Sequence, residues 1–279
     1  MMALRLFIIL TLLPVLYGYS QDLKVKYAEN LSKDEQYCVI LMGGQSNMVG
    51  RGKQIDLDEM MFSNISFFDF GLSPGLINPK DNFGPEIGIS MQLSKNNPNK
   101  KFILIKYAIG GASLLDWAPN YSKDKAEITG NPQFGSMYNR LIKLTDSLTE
   151  GLNAKVKALI WMQGERDARI PEAGKDYYGN FEKLINSVRI DYENQEMPII
   201  FGKINPPKAW FPALDNVVDA QIRISEEIPN TYFIDTDSLE KLNDDIHYSS
   251  NGQINLGIKF GEKISELLKN LRGCKLNSV

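Results

Sequence analysis

Ser46 stands in Gly43-Gly44-Gln45-Ser46-Asn47-Met48, directly after the apolar run Tyr37-Cys38-Val39-Ile40-Leu41-Met42. A serine hydroxyl attacks a carbonyl only when a neighbouring base takes its proton. The chain holds one histidine, His247, far along the sequence in Asp244-Asp245-Ile246-His247. If this protein runs Ser–His chemistry, no other imidazole can serve. A carboxylate beside the ring would hold its tautomer and stabilise the imidazolium formed in catalysis. Asp244 stands three residues before the histidine, and Asp245 competes for the same role.

Two further segments carry suitable groups. Ile109-Gly110-Gly111-Ala112-Ser113-Leu114-Leu115-Asp116-Trp117 offers glycine N–H groups to an oxyanion and, in Trp117, a face for a sugar ring. In Trp161-Met162-Gln163-Gly164-Glu165-Arg166-Asp167, Gln163 can donate a side-chain N–H to the same oxyanion, while Glu165 and Asp167 can fix the loop. The serine turn is not a Gly-x-Ser-x-Gly elbow, because Met48 replaces the second glycine, and it lacks the Gly-Lys-Ser/Thr of a phosphate-binding loop.

All four segments follow strand-like runs or precede helical ones. Strands are expected at residues 38–42, 65–68, 102–108, 157–162, 199–202 and 232–234, several of them continuously apolar, as in a sheet covered on both faces. Amphipathic helices are expected at residues 137–152, 173–192 and 213–228, with a last one opening near Ser249-Ser250. There Ser250 and Gln253 have capping-box spacing, and Ile254, Ile258, Ile264, Leu267, Leu268 and Leu271 are read as the buried stripe. This alternation predicts one α/β domain with a mostly parallel sheet, whose ligands bind beyond the strands' carboxyl ends.

With these residues in hand, the chain resembles SGNH-type hydrolases, and more narrowly the sialate O-acetylesterase and family six carbohydrate esterase group. The resembling blocks are Gly44-Gln45-Ser46-Asn47-Met48, Phe83-Gly84-Pro85-Glu86, Gly110-Gly111, Gln163-Gly164-Glu165 with Asp167, and Asp244-x-x-His247. The resemblance implies a three-layer α/β/α fold with a central, mostly parallel sheet of about five strands. It implies Ser46 as nucleophile, His247 as general base and acid, and Asp244 as orienting carboxylate. The oxyanion hole would be the N–H groups of Ser46 and Gly111 with the Gln163 side chain. Gln45, Asn47, Glu86, Trp117 and Glu165 would bind substrate or shape the site. Many relatives carry proline after the histidine, where this chain has Tyr248.

The chain has 279 residues, is 43% hydrophobic and 23% charged, and has a net charge of −3, so nothing in it suggests a nucleic acid partner. Residues 1–20 read as a signal peptide: Arg5, an apolar run from Leu6 to Leu16 too short to span a bilayer, then Gly18 and Ser20 before Gln21. That leaves residues 21–279 as a single exported domain, secreted or periplasmic, with no stable membrane anchor. In such a compartment Cys38 and Cys274 can pair, or Cys38 can be a small buried hydrophobe. Two cysteines and one histidine fall short of a closed zinc site, and the chemistry calls for no metal or organic cofactor. The reading is a serine esterase that removes acetyl groups from carbohydrate, on acetylated xylan or O-acetylated sialic acid. A glycan-binding protein on an esterase scaffold and an esterase for non-sugar acyl groups are the alternatives. Trp117, Tyr121 and Trp210 are the candidates for stacking on a sugar.

Overall fold

The computed structural model describes residues 24–71 and 81–269. The proposed signal peptide, the end of the last predicted helix and Cys274 lie outside the described residues. Cys38 itself is disulfide-bonded.

Six strands form one wholly parallel sheet: β1 (Gln36–Gly44), β2 (Ile65–Asp69), β3 (Lys101–Ala108), β4 (Asn153–Met162), β5 (Ile199–Gly202) and β6 (Thr231–Ile234). Their order across the sheet is β6-β5-β4-β1-β3-β2, so the chain first sets β2 at one edge, fills β3 between it and β1, and then builds outward on the other side through β4, β5 and β6. The sheet thus has six strands where the resemblance implied about five. The central strand is flanked on both sides, and Val39, Ile40, Leu41 and Met42 are fully buried. This is why it reads as a continuous apolar run rather than an alternating one.

Five longer helices cover the sheet: α1 (Glu86–Asn96), α2 (Met137–Thr149), α3 (Tyr177–Asp191), α4 (Leu214–Glu227) and α5 (Ser250–Leu268). Successive residues of a strand face opposite sides. In β5, the Phe201 ring packs 5.3 Å from Phe181 of α3, whereas a side chain at Gly202 would approach Phe260 of α5. Helices α3 and α5 therefore lie on opposite faces, which makes three layers. Helix α3 packs beside α4, and Tyr138 of α2 donates to Asp191 of α3 at 2.5 Å.

Helices α1 and α5 form the other layer and cross almost backbone to backbone. A Cβ on Gly257 would lie 2.0 Å from the carbonyl oxygen of Pro85, and 2.8 Å from the Cα of Gly88. Helix α1 escaped the sequence reading because this crossing puts Gly88 against Gly257, and Gly261 against the Ile89 backbone, where an isolated helix would show a leucine stripe. In α5 the buried stripe is Leu256, Phe260, Ile264 and Leu268, with Ile254, Ile258 and Leu267 only partly buried. Its cap is Ser249, whose side chain accepts from the Gly252 N–H at 3.1 Å, one residue before the expected Ser250. Ser250 instead accepts from the Lys53 N–H and donates to Asp56.

Candidate active site

The sheet order reverses at β1, between β3 and β4, and a crevice opens at the carboxyl end of such a strand. At that end Gly44 takes φ 148°, and a Cβ there would lie 2.1 Å from the Met162 carbonyl oxygen, so only glycine fits the bend. The Gln45 N–H donates to that carbonyl at 3.0 Å, pinning the turn to β4. One helical turn, Ser46–Val49, follows and puts Ser46 at its first position.

Ser46 Oγ lies 2.9 Å from His247 Nε2, and His247 Nδ1 lies 2.6 Å from Asp244 Oδ2. With Nδ1 donating to the carboxylate, Nε2 is free to accept the serine proton. The other carboxylate oxygen of Asp244 accepts from the N–H groups of Ile246 and His247, both at 2.9 Å, closing a tight loop around the histidine. Partial burial alone would raise the Asp244 pKa. The hydrogen bonds from the His247 ring, the His247 N–H and the Ile246 N–H together outweigh it and hold the carboxyl below its ordinary range. Asp245, the competitor, occupies the left-handed region at φ 56°.

Asn47 fastens this loop to the nucleophile turn. Its Nδ2 donates to the Ile246 carbonyl at 3.1 Å and to Glu165 Oε1 at 2.7 Å, and its Oδ1 accepts from the Tyr248 N–H at 3.3 Å. A proline at 248 would have no N–H to give, so the tyrosine found here is what makes this contact possible. Glu165 is 3% exposed, and burial raises its pKa against the hydrogen bonds from its own N–H and from Asn47.

Gln163 is fully buried. Its Nε2 donates to Asp167 Oδ2 at 2.5 Å and to the Ala112 carbonyl at 3.1 Å, and it approaches Gln45 Oε1 at 3.4 Å. With two hydrogens and three acceptors, it has no donor left for an oxyanion, and it does not line the cavity, contrary to expectation. Asp167, also fully buried, accepts from the Leu114 N–H, so the pair ties the Gly110–Gly111 loop to the end of β4. Burial, with help from nearby Asp116, pushes the Asp167 pKa up to about 7 against its hydrogen bonds from Gln163 and Leu114.

A cavity of about 250 Å³ opens over Ser46. Gln45, Gly110, Gly111, Glu165, Ile246 and His247 line it, together with Arg51, Arg166, Arg169 and Phe211. The N–H groups of Ser46 and Gly111 donate to nothing among the described residues, as oxyanion donors require. Trp117 is not a sugar platform: it is fully buried, 4.9 Å from the Trp161 ring, with its Nε1 donating to the Gly44 carbonyl beneath the nucleophile turn. Glu86 is likewise buried and lies below the site, 2.9 Å from Lys106 Nζ. Lys106 also holds Asp69 at 2.8 Å and the Val49 carbonyl at 3.1 Å. Glu86 shapes the site only through that support. Of the stacking candidates, Trp210 is 57% exposed, and Tyr121 donates its hydroxyl to the Pro132 carbonyl. The sequence reading missed the three arginines. Their only signal was position: each lies within six residues of a chemistry-bearing block.

Among the described residues no cluster of His, Cys, Asp and Glu could hold a metal ion, and no helix is long and apolar enough to cross a membrane.

The sequence model of a carbohydrate esterase family, described as sialic acid-specific acetylesterase, matches residues 71–266. A probable carbohydrate esterase of Arabidopsis thaliana is 25% identical over 160 residues, 57% of this chain; the match spans about half, 54%, of that curated relative's length. A solved Arabidopsis thaliana structure superposes with a TM-score of 0.61 at 21% identity, covering 82% of this chain and 97% of that one. The crystal structure of NanS gives 0.63 at 15% identity, covering 87% and 100%. A carbohydrate acetylesterase of Xanthomonas citri gives 0.61 at 15% identity, covering 84% of this chain and 57% of that one.

Proposed function

The chain belongs to the carbohydrate esterase family described as sialic acid-specific acetylesterase, and from that premise we propose that it removes O-acetyl groups from an acidic sugar through a Ser46–His247–Asp244 acyl-enzyme mechanism. The observation that carries this reading is the unbroken hydrogen-bonded line from Asp244 through His247 to Ser46 at the floor of the cavity. A protein that only binds glycans has no use for such a line.

His247 Nε2 takes the Ser46 proton as Oγ bonds to the acetyl carbon. The carbonyl electrons move onto oxygen, which the Ser46 and Gly111 N–H groups receive. Collapse of the adduct breaks the bond to the sugar oxygen, which leaves with the proton from Nε2. Water then gives its proton to Nε2, attacks the acetyl-serine and releases acetate, returning the proton to Oγ.

Between the two substrates, the cavity wall favours the charged one. Arg51, Arg166 and Arg169 line it, with Arg166 giving Nε and one terminal nitrogen to the Thr129 carbonyl and Arg169 stacked on Phe211, and Glu165, the lone carboxylic acid lining it, is held toward its neutral form. A sugar carboxylate is a suitable partner for guanidinium, whereas acetylated xylose units carry no charge. Export by residues 1–20, leaving one domain from residue 21, belongs to the same proposal.

The test is acetate release by the protein from Gln21 onward, from O-acetylated sialic acid and acetylated xylan side by side, with Ser46→Ala as control. Release from sialic acid that Ser46→Ala abolishes is the expected result. Faster release from xylan would overturn the choice of sugar, and release that survives Ser46→Ala would overturn the mechanism.

A further inference from the structure

Gln45 precedes the nucleophile and is 3% exposed, yet it lines the cavity. Its Oε1 faces three donors: the Arg166 N–H at 3.1 Å, and the Gly164 N–H and Gln163 Nε2 at 3.4 Å. Two of these are backbone N–H groups, which can only donate, so the atom they meet is the amide oxygen. That fixes the other end of the amide as the NH₂ group. Gln45 Nε2 donates to none of the described residues, and unlike Gln163 Oε1 and Glu165 Oε2 it is not sealed off. An oriented, unpaired donor on a catalytic cavity wall is the preorganised group that stabilises developing negative charge.

Its neighbours place this amide among the backbone donors. Gln163 Nε2 lies 3.4 Å from Gln45 Oε1 and 3.1 Å from the Ala112 carbonyl, so the Gln45 head group sits across from the end of the Gly110-Gly111-Ala112 loop. Its backbone runs directly into Ser46. Oxygen in a tetrahedral adduct on Ser46 Oγ must lie where the Ser46 and Gly111 N–H groups reach it. Gln45, Ser46 and Gly111 all line the same cavity.

We propose that Gln45, not Gln163, supplies the side-chain donor of the oxyanion hole. Gln163 acts one layer out, as the positioning residue whose amide joins Asp167, Ala112 and Gln45. This inference rests on the serine esterase reading above.

The test uses 4-nitrophenyl acetate, which carries an acetyl group and no sugar, so sugar contacts do not enter. Gln45→Glu keeps an oxygen for the three donors but loses the NH₂. It should lower kcat by about 100-fold, the usual cost of one oxyanion donor, while KM stays within about threefold. Affinity for methylboronic acid, whose serine adduct is tetrahedral and anionic, should fall with kcat. A merely structural role would not separate kcat from KM in this way. Gln45→Met, with its melting temperature measured, repeats both assays should the glutamate variant fail to fold. Gln163→Met, assayed below its melting temperature, should lose less kcat than either. Folded Gln45 variants with near-normal kcat and boronate affinity would overturn the proposal, as would a larger kcat loss in Gln163→Met. If the wild type itself left 4-nitrophenyl acetate intact, or Ser46→Ala retained full rate, the esterase reading would fall first.

Discussion

Two three-membered polar chains meet the single helical turn Ser46–Val49, one at each end. At its start, Ser46, His247 and Asp244 form a line that reaches solvent, with the Asp244 side chain 44% exposed. At its end, Lys106 donates to the Val49 carbonyl and pairs with Glu86 and Asp69, with the Lys106 side chain fully buried. In the proposed mechanism, the first chain must hand a proton along and let it go. The other must never let go of its charge: Asp69 and Glu86 hold Lys106 protonated although burial opposes it, and that cation closes the Val49 carbonyl at the end of the Ser46–Val49 turn. Both outer aspartates touch water, Asp244 at 44% and Asp69 at 40%, so the difference lies in the middle member: an imidazole at the cavity wall in one chain, a fully buried ammonium in the other.

The largest expected effect breaks the upper chain. Ser46→Ala should lower acetyl release by about 10⁴–10⁶-fold, with the melting temperature unchanged. Lys106→Met attacks the lower one. It leaves the buried Glu86 carboxylate without its cation, while Asp69, its side chain 40% exposed, keeps its contact with water, and it should cost about 3–5 kcal/mol in denaturant unfolding. Burial already raises the Glu86 pKa against the attraction of Lys106, so the deficit should shrink as pH falls and Glu86 takes a proton. A loss as large at pH 5 as at pH 8 would contradict the anchoring role.

Asp244→Asn comes next. Replacing a buried triad carboxylate costs about 10⁴ in kcat; here the carboxylate is half in water, and about 10²-fold is expected. Asp245→Asn should leave kcat within about twofold, since asparagine accepts the same left-handed backbone. Equal losses would return the orienting role to both aspartates. The smallest effect concerns Asp167. Its folded pKa near 7 lies above the ordinary unfolded value, so the folded state binds the proton more tightly. Its stabilising share is complete below the unfolded pKa, declines as pH rises, and is gone above about 7. Asp167→Asn has no such slope. Its melting temperature should gain about 2–6 °C on the wild type between pH 5 and pH 8.

Ser46, His247 and Asp244 were legible in the sequence as a candidate triad, and the structure lines them up by hydrogen bonds; the Lys106 anchor was not legible. A lone histidine and a serine behind two glycines announce themselves by residue type. Lys106 lay inside a predicted strand, and nothing in sequence order tells which carboxylates will turn toward it. The strands were readable because both faces are buried. Helix α1 was not, because a close helix crossing favours small residues over a leucine stripe. Gln163 and Trp117 show a subtler limit: both sit in the loops where they were expected, yet one spends its donors on neighbours and the other fills the core. Position along the chain was right, and side-chain direction decided the role.

The placement of β1 also has a consequence for the timing of synthesis. This strand leads into Ser46, the proposed nucleophile, and leaves the ribosome well before its partners β3 and β4, which lie far downstream. At about 5–20 residues per second, the wait for β3 lasts several seconds, during which a continuously apolar strand has both edges unpaired. Parallel pairing across such separations is slow and exposes the nascent chain to aggregation. Ester-cleaving activity should therefore be the last property a refolding molecule regains, after the helices and the outer strands have formed.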